Sequence, residues 1–328
     1  MKLAVISTSR IVDEFLANLG DMPQIEVAAL CCRPQSAPKA EAWAAQYGIG
    51  RVCTDEAALL AEGGFDAVYI GTANHLHHST AKRVLAAGYH VILEKPFTAT
   101  AAEARELFAL ADSKGVMIFE AITTPYLPEY AFLQQELPKI GPVRGVMASF
   151  CARSRRYDDY LAGIWNTTFD PASNGGALYD MNVYNLHYLW GLLGMPERCE
   201  YFPSRGANGV DTAGLAVLHY PGFSAACLAA KDSESAQGCT IQGPGGCLTV
   251  EGGTNALPAV YSVLGGVRGS GARTDGPRKT RHRMAYEFDA FARMIAENDR
   301  AGEAEARRRT LAVMEMIDQL RRSAGETV

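Results

Sequence analysis

Short apolar runs alternate with segments of helical spacing along the first 120 residues. Leu3 to Ile6, Val27 to Leu30, Arg51 to Cys53, Ala67 to Ile70, His90 to Leu93 and Val116 to Phe119 read as strands. Ile11 to Leu19, Ala37 to Tyr47, Asp55 to Ala61, His77 to Ala87 and Ala101 to Ser113 read as helices. Gly48 and Gly88 stop two of them, Thr54 is the expected N-cap of the third, and Thr100 with Glu103 forms a capping box for the last. Strand–helix alternation with short turns predicts parallel strands joined by right-handed crossovers, hence a doubly wound α/β sheet over residues 1–121.

After Glu120 the texture changes. A helix is expected over Glu129 to Leu137. Runs of strand character follow at Val143 to Phe150, Leu215 to His219, Ser224 to Ala229, Cys239 to Gln242 and Cys247 to Val250. Many are joined by Gly, Pro or Asp turns, which predicts a mainly antiparallel meander. One strong helix, Ala177 to Leu193, interrupts them, and Ala285 to Glu297 and Glu303 to Arg322 are helical again. Residues 122–328 are thus expected as a second, α/β domain, its terminal helices packing back. Gly265 to Arg283, rich in Gly and basic residues, reads as a mobile loop leading into them.

Composition narrows the classes. A chain of 328 residues with 48% hydrophobic and 20% charged residues is an ordinary globule long enough for two domains. A net charge of -5 gives no support to a nucleic-acid partner, and no apolar run reaches membrane-spanning length. The N-terminus goes straight into a strand, so a cytoplasmic location is the default. The eight cysteines lack a C-x-x-C spacing and read as reduced thiols, neither zinc ligands nor a disulfide framework.

Candidate chemistry collects where the strands end, because an open α/β sheet binds ligands at the carboxyl ends of its strands. Glu94-Lys95-Pro96 ends the fifth strand, and proline holds Lys95 at that lip. The first strand-to-helix turn is Ser7-Thr8-Ser9-Arg10-Ile11, with Ser7, Ser9 and Val12 in place of the three glycines of a dinucleotide fingerprint. Its hydroxyls and the N–H groups of Ser9 to Ile11 suit a phosphate. Ser7 must avoid positive φ or accept a cost of roughly 1–2 kcal/mol. After the second strand there is no Asp or Glu, and Arg33 is available, which leans toward the 2′-phosphate of NADP, with NAD as the alternative. Thr72-Ala73-Asn74-His75-Leu76-His77-His78 follows the fourth strand. Its three histidines invite a metal reading, but no carboxylate or thiol stands at a usable spacing, and Asn74 and His77 suit a nicotinamide or substrate pocket better. In the second domain Asp180, Tyr184 and His187 fall on one stripe of the helix from Ala177, opposite Leu186, Leu189 and Leu193, a set suited to proton handling. Gly175 and Gly176 before it admit another backbone closely.

In order along the chain, Thr72-Ala73-Asn74-His75-Leu76-His77, Glu94-Lys95-Pro96 and Gly175-Gly176-Ala177-Leu178-Tyr179-Asp180 with Tyr184 resemble the glucose–fructose oxidoreductase, inositol dehydrogenase and MocA-like (Gfo/Idh/MocA) family, in the branch similar to dimeric dihydrodiol dehydrogenase. The resemblance covers nearly the whole chain. It implies an N-terminal Rossmann domain and a C-terminal α/β domain with an open, mostly antiparallel sheet that often forms the oligomer interface, hence a homodimer or homotetramer. It implies an NAD(P)-dependent oxidoreductase moving a hydride between nicotinamide and a carbinol or carbonyl carbon of a sugar, polyol or diol. On this reading Ser7, Thr8, Ser9, Arg10, Ile11 and Arg33 hold the cofactor with Thr72, Asn74, His77, Glu94 and Lys95. Tyr184 gives or takes the hydroxyl proton, Lys95 lowers the phenol's pKa and orients the substrate oxygen, Asp180 holds Lys95 or a substrate hydroxyl, and His187 is the alternative proton carrier; no metal takes part. The chain departs from the family pattern at Ser7-Thr8-Ser9, at Ala73 where proline is usual, and at Asn182 where glycine is usual, the last changing the pocket beside Asp180. The competing reading is a nucleotide- or sugar-sensing homologue without turnover, motivated by Ser7.

Overall fold

A computed structural model describes residues 1–266 and 270–328; residues 267–269, within the loop expected from Gly265 to Arg283, lie outside the described residues. The chain forms two compact units, one of Met1–Ala121 with Arg281–Leu311, the other of Ile122–Thr280 with Ala312–Val328. The region expected within the second domain therefore gives up residues 281–311 to the first unit.

In the first unit β1 (Lys2–Ile6), α1 (Arg10–Ala17), β2 (Glu26–Cys31), α2 (Ala37–Tyr47), β3 (Val52–Cys53), α3 (Glu56–Glu62), β4 (Ala67–Ile70), α4 (His77–Ala86), β5 (His90–Glu94), α5 (Ala101–Lys114) and β6 (Ile118–Ala121) follow one another. All six strands are parallel, in the order β3-β2-β1-β4-β5-β6. The central strands are buried on both faces, which is why they read as continuous apolar runs. Two expected boundaries move. Asp55, not Thr54, caps α3, its carboxylate accepting the Ala57 and Ala58 N–H groups, and β6 starts two residues later than its apolar run suggests. The Thr100 cap of α5 forms as expected, its hydroxyl accepting from Glu103 N at 3.2 Å.

The second unit holds α6 (Pro128–Glu136), β7 (Gly145–Cys151), α7 (Tyr157–Leu161), α8 (Val183–Leu193), β8 (Arg198–Arg205), β9 (Asp211–Tyr220), β10 (Phe223–Ala230), β11 (Gly238–Gly243), β12 (Gly246–Glu251), β13 (Ala259–Leu264) and β14 (Ala272–Asp275). Its sheet runs β14-β13-β12-β11-β7-β10-β9-β8, antiparallel except for the parallel β7–β10 pair. Strict alternation puts Val146, Ala148 and Phe150 of β7 inside with Ala225, Cys227 and Ala229 of β10. The opposite face carries Met147, Leu228 and Phe202 in neighbouring register, with Met147 69% and Phe202 58% exposed. The expected loop from Gly265 contains β14.

Two last helices follow, α9 (Arg283–Glu297) and α10 (Arg300–Ser323). Phe288 of α9 lies 4.7 Å from Phe15 and 5.2 Å from Tyr69, and Phe291 stacks on Phe119 at 4.9 Å. At the start of α10, Glu303 accepts from the backbone of Ile118 at 3.1 Å.

Candidate functional site

The first unit gathers its candidate residues at the carboxyl ends of β1, β4 and β5. Ser7 leaves β1 at φ +126°, the positive region that L side chains rarely adopt, so the serine turn keeps the backbone course of a glycine turn at a cost. Its N–H bonds Cys31 O at 2.9 Å, and its hydroxyl accepts from Ser9 N at 3.1 Å. Ser9 occupies the N-cap position of α1 without a side-chain cap bond. Across from it, a Cβ on Gly71 would lie 2.8 Å from Val12 and 3.4 Å from Ser9 Oγ, so glycine is required for the close packing of β4's end on α1. Among the described residues, the buried hydroxyl oxygens Ser9 Oγ and Thr72 Oγ1 have no hydrogen-bond partner. Orphaned donors beside a helix N-terminus fit the pyrophosphate of a dinucleotide. Arg33 is exposed just past β2, and Lys39 of α2 reaches back to Thr8 O at 2.9 Å.

Lys95, half-buried, directly follows β5, and the peptide bond from it to Pro96 is cis. The turn behind it is pinned twice. His77 Nδ1 lies 2.8 Å from Pro96 O, with its Nε2 3.1 Å from Thr72 O, and Phe97 N donates to Glu120 Oε1 at 3.1 Å. The other oxygen of Glu120 accepts from Thr310 at 2.8 Å. His77 is fully buried, so it joins two lip turns instead of lining a pocket as expected. Burial lowers its pKa, and a neutral ring donates to one of the two carbonyls. Glu94, expected among the cofactor ligands, turns its carboxylate inward, where it accepts from Tyr69 at 2.7 Å. Burial pushes its pKa up to about 7, against the lowering pull of Tyr69 and Lys95. The three histidines diverge: His75 is exposed, His77 faces carbonyl oxygens, and His78 meets Glu106 at 2.9 Å. Among the described residues no three His, Cys, Asp or Glu side chains are placed to hold a metal.

The second unit builds its candidate cluster on a π-helical turn, Leu178–Asn182, that leads into α8. Gly175 and Gly176 admit the Thr167 and Thr168 carbonyls and Asp211 as closely as expected, with Gly176 at φ +112°. Asp211 accepts Leu178 N at 2.7 Å and the Tyr201 hydroxyl at 2.5 Å, fixing the start of the turn. Asn182 points into the core, donating to Cys227 O at 3.1 Å and accepting from Asn185 at 3.0 Å. It therefore ties the turn to β10 and does not reshape a pocket beside Asp180, contrary to the expectation from sequence. Asp180 and Tyr184 are half-buried, and Tyr184 meets Phe150 edge-on at 5.6 Å. His187 is fully buried, and Leu186, Tyr188, Leu189 and Trp190 are buried with it, so the polar stripe expected through Asp180 and Tyr184 does not extend to His187.

Three residues were missed in the sequence. Lys231 pairs with Asp180 at 2.7 Å, Asp211 caps the π turn, and Lys39 reaches the serine turn. Lys231 ends the apolar run Phe223–Ala230, but nothing local in the sequence separates it from a lysine that ends a strand in solvent.

Comparison with known proteins agrees with this layout. The profile described as an oxidoreductase family with an NAD-binding Rossmann fold matches residues 1–122, and that of the GFO/IDH/MocA C-terminal domain matches residues 138–249. The chain is 31% identical over 325 residues to the scyllo-inositol 2-dehydrogenase (NADP(+)) IolU of Bacillus subtilis strain 168, spanning 99% of this chain and 97% of that one. Over 226 residues it is 29% identical to the trans-1,2-dihydrobenzene-1,2-diol dehydrogenase of Sus scrofa, 68% of this chain and 65% of the relative. A 3-ketoreductase from Actinomadura kijaniata, solved with NADP and TDP-benzene, superposes with a TM-score of 0.85 at 23% identity over 98% of this chain and 97% of that one, a likeness of fold.

The strained turn is directly testable. Ser7→Gly relieves the positive φ, whereas Ser7→Ala keeps it and loses the bond to Ser9 N. In urea unfolding Ser7→Gly should be the more stable of the two by about 1–2 kcal/mol. Equal stabilities would show that the turn stores no strain.

Proposed function

Since this chain belongs to the GFO/IDH/MocA oxidoreductase family, we propose that it is an NADP-dependent dehydrogenase or reductase of a CH–OH carbon in a polyol, sugar or diol. The observation that carries the reading is the pair of orphaned buried hydroxyls, Ser9 and Thr72, on the same sheet lip as a lysine whose turn is pinned from behind. The named activities of the relatives, on scyllo-inositol and on a dihydrobenzenediol, support the substrate class. Ser9, Thr72 and the first N–H groups of α1 would hold the pyrophosphate, and Arg33 with Lys39 would take the 2′-phosphate. When bound, the nicotinamide accepts or supplies the hydride.

The chain's own residues handle the proton and the geometry. Tyr184 takes the hydroxyl proton in oxidation and returns it in reduction. Lys95 holds the substrate oxygen by its charge, and its pinned turn keeps that charge in place. Asp180 accepts from a neighbouring substrate hydroxyl. Tyr184 is preferred in this role to His187, which is fully buried on α8. The same reading makes the protein a homodimer or homotetramer through the apolar face of its eight-stranded sheet, centred on Met147, Phe202 and Leu228. A monomer mass in light scattering of the purified chain would refute that assembly.

The assay is NADPH formation from NADP with scyllo-inositol and with trans-dihydrobenzenediol. Tyr184→Phe should lower kcat by about 10²–10⁴-fold while leaving NADPH affinity unchanged. Full activity in that variant would move the proton to another residue.

A further inference from the structure

Lys231, immediately after β10, is a lysine with almost no access to water. Its side chain is 2% exposed, yet its ammonium lies 2.7 Å from Asp180 Oδ2, a carboxylate that is 36% exposed. The same nitrogen donates to Thr168 O at 3.2 Å and sits 5.2 Å from the ring centre of Phe169. Phe169 is itself covered by Tyr160, at 5.1 Å. The backbone of Lys231 is equally constrained, its N–H bonding Thr212 O at 2.8 Å and its carbonyl accepting from Ser154 N at 2.8 Å. A buried ammonium is costly unless it is paired and hydrogen-bonded. This one meets that requirement by holding the aspartate that the proposed function places at the substrate.

We infer that Lys231 is a positioning residue for the reaction, fixing both the orientation and the negative charge of Asp180 toward a substrate hydroxyl. The inference rests on the role proposed for Asp180. The pair is asymmetric in a way that suits the task. The cation is sealed under Phe169, so its charge is little screened, and the anion is the partner that reaches solvent. The π turn adds a second constraint, since Asp211 holds Leu178 N two residues before Asp180. Among the described residues, the ammonium pairs with Asp180 on the π turn and acts by its charge on Asp211 of β9, to which Tyr201 of β8 donates. Lys231 lowers the pKa of Asp211, though burial, the larger effect, raises it. A carboxylate facing an ammonium accepts a substrate hydroxyl as an anion over a wider pH range than one alone.

The test compares Lys231→Met, Lys231→Arg and Asp180→Asn, assayed with NADP and whichever of scyllo-inositol and trans-dihydrobenzenediol turns over. In Lys231→Met the acid limb of kcat/KM should move to higher pH by about 1–3 pH units, because Asp180 loses its counter-charge. Lys231→Arg keeps the charge and should restore the wild-type limb. NADPH affinity should be the same in all three. Lys231→Gln, which keeps a donor without the charge, carries the expectation of the methionine variant should that variant not fold. A readout independent of turnover is the urea midpoint, where Asp180→Asn/Lys231→Met should lie above Asp180→Asn alone, since the double variant leaves no buried ammonium without its carboxylate. If Asp180→Asn is impaired while Lys231→Met keeps the wild-type pH profile, the inference about Lys231 fails and the role of Asp180 stands. If Asp180→Asn turns over like the wild type, the role of Asp180 fails and takes this inference with it.

Discussion

The contact between the buried His77 ring and the Pro96 carbonyl, 2.8 Å long, is the constraint on which the placement of Lys95 depends. Six parallel strands deliver their carboxyl ends to one lip, but a lysine on a free turn would carry its charge over many positions. Here the turn that bears Lys95 is tied to the β4 turn through His77 and to β6 through Glu120, whose second oxygen is held by Thr310 of the returning α10. Glu94, one residue earlier, is locked inward by Tyr69. The turn that carries Lys95 is thus fixed by polar groups behind it, and the Glu94 carboxylate beside it is directed inward.

The second unit solves the corresponding problem differently. Its carboxylate and phenol stand on or next to a π turn, a rare departure from α geometry that recurs at functional sites. That turn is held by side chains from β9 and by β10's backbone: Asp211 at its first N–H group, and the Cys227 carbonyl at Asn182. The sealed ammonium of Lys231 then sets the charge at its centre. Few of these supports touch solvent, so the unit spends buried polar groups on orientation.

The sequence made the first sheet legible because its strands are buried on both faces and its helices carry their own caps and glycine stops. Boundaries slipped where a polar side chain competed, as when Asp55 took the cap expected of Thr54. The lip residues were legible as a set, since strand ends are marked by the change from apolar to polar residues. Their directions were not, for side-chain direction depends on tertiary partners. His77 and Glu94 turn inward because Pro96 O, Thr72 O and the Tyr69 hydroxyl, all distant in sequence, wait for them. The amphipathic stripe through Asp180, Tyr184 and His187 failed because it assumed one uniform helix, whereas the π turn changes the register and His187 is buried with its neighbours on α8. Lys231 escaped notice because nothing local distinguishes a lysine that ends an apolar strand in solvent from one that ends it inside.

The proposed NADP site is built on a serine turn held at positive φ. Fluorescence titration of the purified chain with NADPH and with NADH, repeated on Arg33→Glu, tests it. NADPH should bind more tightly than NADH, with that preference lost in the variant. Binding of neither nucleotide would contradict it and would leave a homologue of the fold that has given up its cofactor.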